Sequence, residues 1–397
     1  MIAARPKWEV ADVIRRDGQA FLDRRGASLS SAQQRVLRDL ALCRTAALGG
    51  HVEECAGCAH RVISYNSCRN RHCPKCQGSQ RAAWLDQQMS QLLPVEYHHV
   101  VFTLPAAVAE VVFQNQKLGY TVLFRAASET LKQIAADPKH LGAEIGFTAV
   151  LHTWGQTLTF HPHLHCLATG GGLTPDDRWV STKPGFFLPV RVLSQVFRGK
   201  ILAELTRAWE SGELRFFGDL AGLSDASNFA AWRAEQAREA WCVHSKPPVK
   251  GPEVVLKYLA RYVDRVAISN HRLVSLENGE VTFRYQDYRQ SGRDRQKTMT
   301  LPAEEFLRRF VMHVLPPGFQ KVRSYGLLAN TAREQKLSRC REELAVPLPL
   351  VALAPSPQPS DAPACPHCGQ TTWYQIEWTP CPSLPERLGL SIPRDTS

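Results

Sequence analysis

The sequence lacks any run of eighteen apolar residues, so no segment is long enough to cross a bilayer as a helix. Its opening stretch, MIAARPKWEVADVIRRDGQ, has no apolar centre of the kind a secretory leader needs, and a cytosolic protein is the expectation. No internal repeat is visible. Acidic residues are in short supply: 37 Asp and Glu stand against 48 Lys and Arg, a formal net charge of +11. That imbalance disfavours basic partners and points to a polyanion, with nucleic acid ahead of membrane. What the chain does have is an ordinary apolar fraction, 44%, over 397 residues, enough for sizeable cores in two or three domains. Twelve cysteines in a reducing compartment are better explained by metal or burial than by disulfides.

Apolar residues at three- and four-residue steps predict two amphipathic helices in residues 8–46, in VADVIRRDGQAFLDRR and AQQRVLRDLALCRTAAL. LGGH then breaks the pattern, a cysteine-rich segment follows, and SQRAAWLDQQMSQLL reads as helix again. From about Leu93 strand and helix textures alternate. YHHVVFTLP, EIGFTAVLHTWGQTL and HPHLHCLATGGG read as strands, the last two neighbours across a short turn. VVFQNQKLGYTVLFRAASETLKQIAAD reads as a long helix or a helix pair, and three further helices and a hairpin turning at Glu277 to Gly279 complete the region. PEVVLKYLARYVDRVAI opens with Pro252 and Glu253, both helix-start signals. The implied order is N-terminal helices over 1–50, a cysteine-rich segment and its following helix over 51–92, a large mixed domain over 93–342, a Pro- and Ala-rich linker over 343–363, and a tail over 364–397.

CAGCAHRVISYNSCRNRHCPKC holds two CxxC pairs, Cys55/Cys58 and Cys73/Cys76, fourteen residues apart. That spacing suits one four-cysteine Zn2+ site with a knuckle from each pair. Cys43, His51, Cys68 and His72 remain as ligands for a second zinc, although Cys43 could equally be helix core. Arg69, Arg71 and Lys75, with Asn70, Gln77 and Arg81, surround these ligands and suit contact with phosphates and bases, or else form a solvated basic face. CPHCG near the C-terminus, with Cys381 and His367, reads as a further metal knuckle.

FHPHLHC places His161, His163 and His165 at every second position. In a strand the three rings line one side, an arrangement suited to a metal ion as well as to a hydrogen-bonded polar face. Cys166 alternates to the opposite side and reads as core. VLKYLARYV puts Tyr258 and Tyr262 one helical turn apart on one face, flanked by Lys257, Arg261 and Arg265. Such rings ordinarily pack inward. With cations or a metal-polarised phosphorus nearby, a phenol can act as a nucleophile despite a pKa near ~10.

The stretches SCRNRHCPKCQ, HHVVFTLP, HTWGQTLTFHPHLHC, YLARYVDRVAISNHRL and EEFLRRFVMHVLPPGFQKVRSYG appear in an order that resembles the two-tyrosine rolling-circle transposases of bacterial insertion sequences, the IS91 type, within the HUH endonucleases. The resemblance covers roughly residues 35 to 330. It implies an α+β fold: a catalytic domain with a central antiparallel sheet flanked by helices, preceded by helical and zinc-binding segments. It aligns His163, Leu164 and His165 with the histidine-hydrophobe-histidine triplet, with the register His161-Pro162-His163 as the alternative. Pro162 favours the former, since proline prefers strand starts. It also implies a third protein ligand, for which His152 and Gln156 stand as candidates, and a catalytic Mg2+ or Mn2+ beside the structural zinc.

The activity implied is cleavage and rejoining of single-stranded DNA at transposon ends, and of target DNA, through a 5′-phosphotyrosine. The host replication machinery would be a partner and the nucleoid the place of action. The competing readings are a replication initiator or relaxase that only nicks, and a zinc-knuckle DNA-binding protein without catalysis.

Overall fold

The computed structural model describes residues 6–76, 91–249, 251, 254–255, 266–288, 290, 292–345 and 364–379. The chain divides into two units. One comprises Met1–Ser79, Ile268–Val311 and Leu350–Ser397; the other comprises Gln80–Ala267 and Met312–Pro349.

In the second unit, β-branched and aromatic residues build a six-stranded sheet from β3 (Tyr97–Thr103), β4 (Glu144–Trp154), β5 (Phe160–Leu173), β6 (Trp179–Ser181), β7 (Val243–Val249) and β11 (Val322–Gly326). The order is β11-β4-β5-β3-β7, with β6 added to β5, and every pair is antiparallel. One face carries Val100, Phe102, Phe147, Ala149, Leu151, Leu164, Cys166 and Ala168, all buried. Against it pack α3 (Ala106–Gln114), α4 (Gln116–Ala136) and α5 (Val190–Glu210), through Val108, Tyr120, Phe124, Leu193, Phe197 and Ile201 among others. α6 (Ala226–Arg238) starts at Asp225, whose carboxylate accepts the amides of Ser227 and Asn228, a capping pattern that satisfies orphan donors. α8 (Arg333–Glu343) adds Leu337 and Cys340 to a small cluster with Leu93, Leu173 and Leu327.

In the first unit, α1 (Val10–Arg25) and α2 (Ser31–Leu42) bury Val10, Val13, Ile14, Phe21, Val36, Leu37 and Leu40 along one stripe each. Ser30 and Gln33 cap α2 reciprocally, each side chain accepting the other's backbone amide. β1 (Gly50–Cys55) pairs with β2 (Arg61–Tyr65) on one edge and with β12 (Trp373–Thr379) on the other. A second three-stranded sheet, β8 (Leu273–Glu277), β9 (Glu280–Gln286) and β10 (Gln296–Pro302), leads into α7 (Ala303–Val311). α7 lies on α1: both Arg24 and Arg25 pair with Glu304, and the Asn270 carbonyl oxygen of the side chain accepts the amide of Val10.

The α+β class with a central antiparallel sheet is borne out. The division along the chain differs from the linear intervals. Residues 268–311 group with the N-terminal helices rather than staying within 93–342, because α7 packs beside α1 and finds its ionic partners there. The tail from residue 364 joins the same unit through β12. The helix expected in SQRAAWLDQQMSQLL falls mostly on residues 77–90, and the linker on 346–363; both lie outside the described residues.

Candidate active site and metal centres

The histidine strand is β5, central in the sheet, with β4 and β3 on either side. His163 sits opposite His152 of β4, and His165 sits opposite Val150 of β4 and Val101 of β3. Strand alternation therefore sends His152, His163 and His165 to one face, opposite to Leu164 and Cys166. One ligand atom from each of the three lies within 4.8 Å of the others. The Nε2 atoms of His163 and His165 are 3.1 Å apart, and the His152 ring meets the His165 ring edge-on at 4.5 Å.

Hydrogen bonds fix the tautomer of His163. Its Nδ1 lies 2.7 Å from the carbonyl oxygen of His161, which can only accept, so Nδ1 carries the proton and Nε2 keeps its lone pair. His165 Nδ1 lies 2.8 Å from His99 Nε2 on β3. Burial pushes His163 down to about 4 and His165 well below the usual imidazole range, the latter helped by neighbouring His152 and His163. Burial, then Lys246 and His244 on β7, push His99 down to about 3. All three rings are therefore neutral at physiological pH, the state in which imidazole binds a metal. The donor set fits a divalent cation with open positions for substrate.

His161 is exposed at the strand start, and Gln156 is half-buried in the turn between β4 and β5. Sequence reading missed two groups on this face. His99 was legible from alternation, since Tyr97, His99 and Val101 share a side of β3. Lys246 is exposed and lies opposite His99, a pairing of distant strands that no local spacing announces. Tyr258 and Tyr262, with Lys257, Arg261 and Arg265, lie outside the described residues. Val255, buried just ahead of them in sequence, packs with Tyr97, Val150 and Leu167, residues of the histidine face.

The cysteines assemble differently from the expected grouping. Cys43, Cys68, Cys73 and Cys76 form one cluster, with their sulfurs within 4.8 Å of one another. Cys43 and Cys76 are 3.5 Å apart, Cys68 and Cys76 3.6 Å, Cys73 and Cys43 3.6 Å. A tetrahedral Zn2+ with Zn–S near 2.3 Å requires about 3.8 Å between sulfurs, so this cradle fits zinc. Hydrogen bonds from Cys68 and Cys73 pull the Cys43 thiol far below its usual range.

Cys55 and Cys58 do not join Cys73 and Cys76. The β1–β2 hairpin separates them: CAGC caps its far end, and β2 carries the chain about 16 Å back before Cys68. There Arg44 donates its amide to the Asn66 carbonyl, which brings Cys43 beside Cys68.

His51 and His72 are in neither cysteine cluster. His51 sits 3.6 Å from Glu53 and stacks on Trp378, while the His72 amide is held by Asn70. Of the basic residues expected to grip DNA, Arg69 is exposed at φ 52° and Arg71 is half-buried, whereas Lys75 is ion-paired with Glu9. That partner removes Lys75 from the pool of free surface cations.

Two family models match the chain. One, described as "Putative transposase", covers residues 146–336; the other, described as "Transposase zinc-binding domain", covers residues 13–104. A protein of Sinorhizobium fredii (strain NBRC 101917 / NGR234), "Putative transposase y4qJ", is 55% identical over 355 residues, which are 89% of this chain and 88% of the relative. The "Transposase for insertion sequence element IS801" of Pseudomonas savastanoi pv. phaseolicola is 29% identical over 310 residues, 77% of this chain and 73% of the relative.

Proposed function

Since the chain belongs to the IS91-type transposases, we propose that it cuts and rejoins single-stranded DNA at the ends of its element, with Tyr258 and Tyr262 as nucleophiles. One observation carries the reading. His152, His163 and His165 converge on one sheet face, and Val255, three residues ahead of Tyr258 in sequence, packs on the same face beside Val150 and Leu167.

His152, His163 and His165 would hold the divalent cation, Mg2+ or Mn2+, which supplies positive charge to polarise the scissile phosphate. The remaining work falls to the chain. The His161 carbonyl holds His163 in the tautomer that bares Nε2, and His99 holds His165 from behind. Apolar burial keeps these imidazoles unprotonated. A tyrosine Oη attacks phosphorus in line, the P–O3′ bond breaks, the phenolic proton leaves and the 3′ oxygen takes one up. The product is a 5′-phosphotyrosine and a free 3′-hydroxyl. One phosphodiester is exchanged for another, so no ATP is needed. A second tyrosine lets one protein hold two strand ends in turn, which strand transfer requires and nicking alone does not. The zinc-binding domain and the net charge of +11 suit it to hold the nucleic-acid strand electrostatically.

The test uses labelled single-stranded oligonucleotides from the element's ends with Mn2+, resolved under denaturing conditions. Wild type gives a protein–DNA adduct. Tyr258→Phe and Tyr262→Phe each remove part of it, and the double variant removes all. Adducts persisting in the double variant reject the assignment.

A further inference from the structure

We propose that the chain binds a second structural zinc through Cys55, Cys58, Cys365 and Cys368, a clasp that fastens the C-terminal tail to the hairpin of the zinc-binding domain. This does not rest on the tyrosine chemistry. The family model for the zinc-binding domain ends at residue 104, so two of the four ligands come from far outside it.

The four sulfurs lie within 4.8 Å of one another. Cys55 and Cys368 are 3.5 Å apart and Cys58 and Cys365 3.6 Å, across more than 300 residues of sequence. These separations match the roughly 3.8 Å of a tetrahedral Zn–S4 centre and exceed the roughly 2.05 Å of a disulfide.

The two CxxC turns are built alike. In one, the Ala59 amide donates to the Cys55 carbonyl at 3.0 Å and the Cys55 amide to the His60 carbonyl at 2.9 Å. In the other, the Gly369 amide donates to the Cys365 carbonyl and the Cys365 amide to the Gln370 carbonyl, both at 2.8 Å. Ala59 and Gly369 hold the same left-handed backbone, φ 56° and 76°, directly after the second cysteine of each turn. Backbone amides point at the sulfurs as well: His60 at Cys58, His367 and Cys368 at Cys365, Gln370 at Cys368. Paired knuckles with amides aimed at four sulfurs form a preorganised thiolate cage.

The surrounding structure closes the clasp. Ala56 donates to the Thr372 carbonyl, Cys55 faces Trp373 in the β1–β12 ladder, and the His60 and His367 rings stack at 4.2 Å. Binding takes up one Zn2+ and releases the protons of four thiols, leaving a centre of net charge −2. Cys58 and Cys368 are exposed, whereas Cys43, Cys73 and Cys76 of the other cluster are buried. The clasp is therefore the site that chelators reach first.

Zinc content of the purified full-length chain tests this. Wild type is expected to hold two zinc ions per chain. Cys365→Ser/Cys368→Ser and Cys55→Ser/Cys58→Ser should each hold one, and the fourfold variant also one, because both pairs serve a single site. A folded tail variant that keeps two zinc ions overturns the proposal, as does an intact mass showing these four cysteines oxidised in pairs.

A second measurement leaves every ligand in place. A protease site introduced within residues 346–363 is cut in the full chain, and the nicked protein is sized by gel filtration. The tail should stay attached with zinc and come free after chelation. A tail that separates while zinc is present overturns the clasp.

Discussion

His99 Nε2 and His165 Nδ1 lie 2.8 Å apart on adjacent strands, so the imidazole nearest the centre of the site is held from behind by another imidazole. With His165 Nε2 bare toward a metal, Nδ1 must carry the proton and His99 must accept it. A partner of this kind fixes the ring's tautomer and orientation, and its loss typically costs 10- to 100-fold in metal affinity. His99→Phe is expected to raise the Mn2+ concentration for half-maximal binding by about that factor, read by calorimetry. His99→Gln, which keeps an acceptor, should recover part of it. Equal loss in both variants would reduce His99 to a packing residue.

Lys246 is exposed on the same sheet face and opposite His99. A cation there meets a phosphate of any strand laid over the histidines. Lys246→Ala should weaken single-strand binding about equally for all sequences and lower the slope of log K against log salt by about 1. A loss confined to one sequence, with the slope unchanged, would mean that Lys246 touches a base instead.

These two residues show where sequence reading reaches and where it stops. The period of two in HPHLHC placed His163 and His165 on one face because alternation is a local property of any strand. The same rule puts Cys166 among the core residues. Which cysteines share a metal is not local: Cys55 meets Cys368 because β12 zips onto β1, and spacing along CAGC…CPKC carries no trace of that ladder. For the same reason residues 268–311 could not be assigned to the unit of α1, since the match of Arg24 and Arg25 to Glu304 spans the chain. His152 stood beside Gln156 as a candidate for the third ligand, and the β4–β5 register is what sets it opposite His163.

Gly170 begins three consecutive glycines at the buried end of the histidine strand. A Cβ on Gly170 would stand 2.7 Å from the carbonyl oxygen of Glu96, and backbone cannot swing aside as a side chain can. Gly170→Ala should therefore destabilise the fold by about 1–3 kcal/mol, in the range of overpacking elsewhere. Chemical denaturation at neutral pH measures it. An unchanged midpoint would show that the Glu96 segment gives way freely.

His313 supplies the pH dependence that is independent of the metal face. Its Nε2 lies 3.2 Å from the Leu158 carbonyl oxygen, so Nε2 donates, and Nδ1 accepts from the Thr153 hydroxyl at 3.2 Å. Both nitrogens are satisfied only in the neutral ring, and burial pushes the group down to about 4. The unfolded chain takes up this proton near ~6.5 while the native ring stays neutral. Between those values the unfolded state binds more protons, so stability falls as pH drops through the window and levels off below about 4. The loss by pH 4.5 is on the order of 2–3 kcal/mol for this group. His313→Gln, which can still donate to Leu158, should lose stability at pH 7 yet show a shallower decline between pH 6.5 and 4.5. The check is a series of urea unfolding curves across that range. Parallel declines in wild type and variant would place the titration elsewhere.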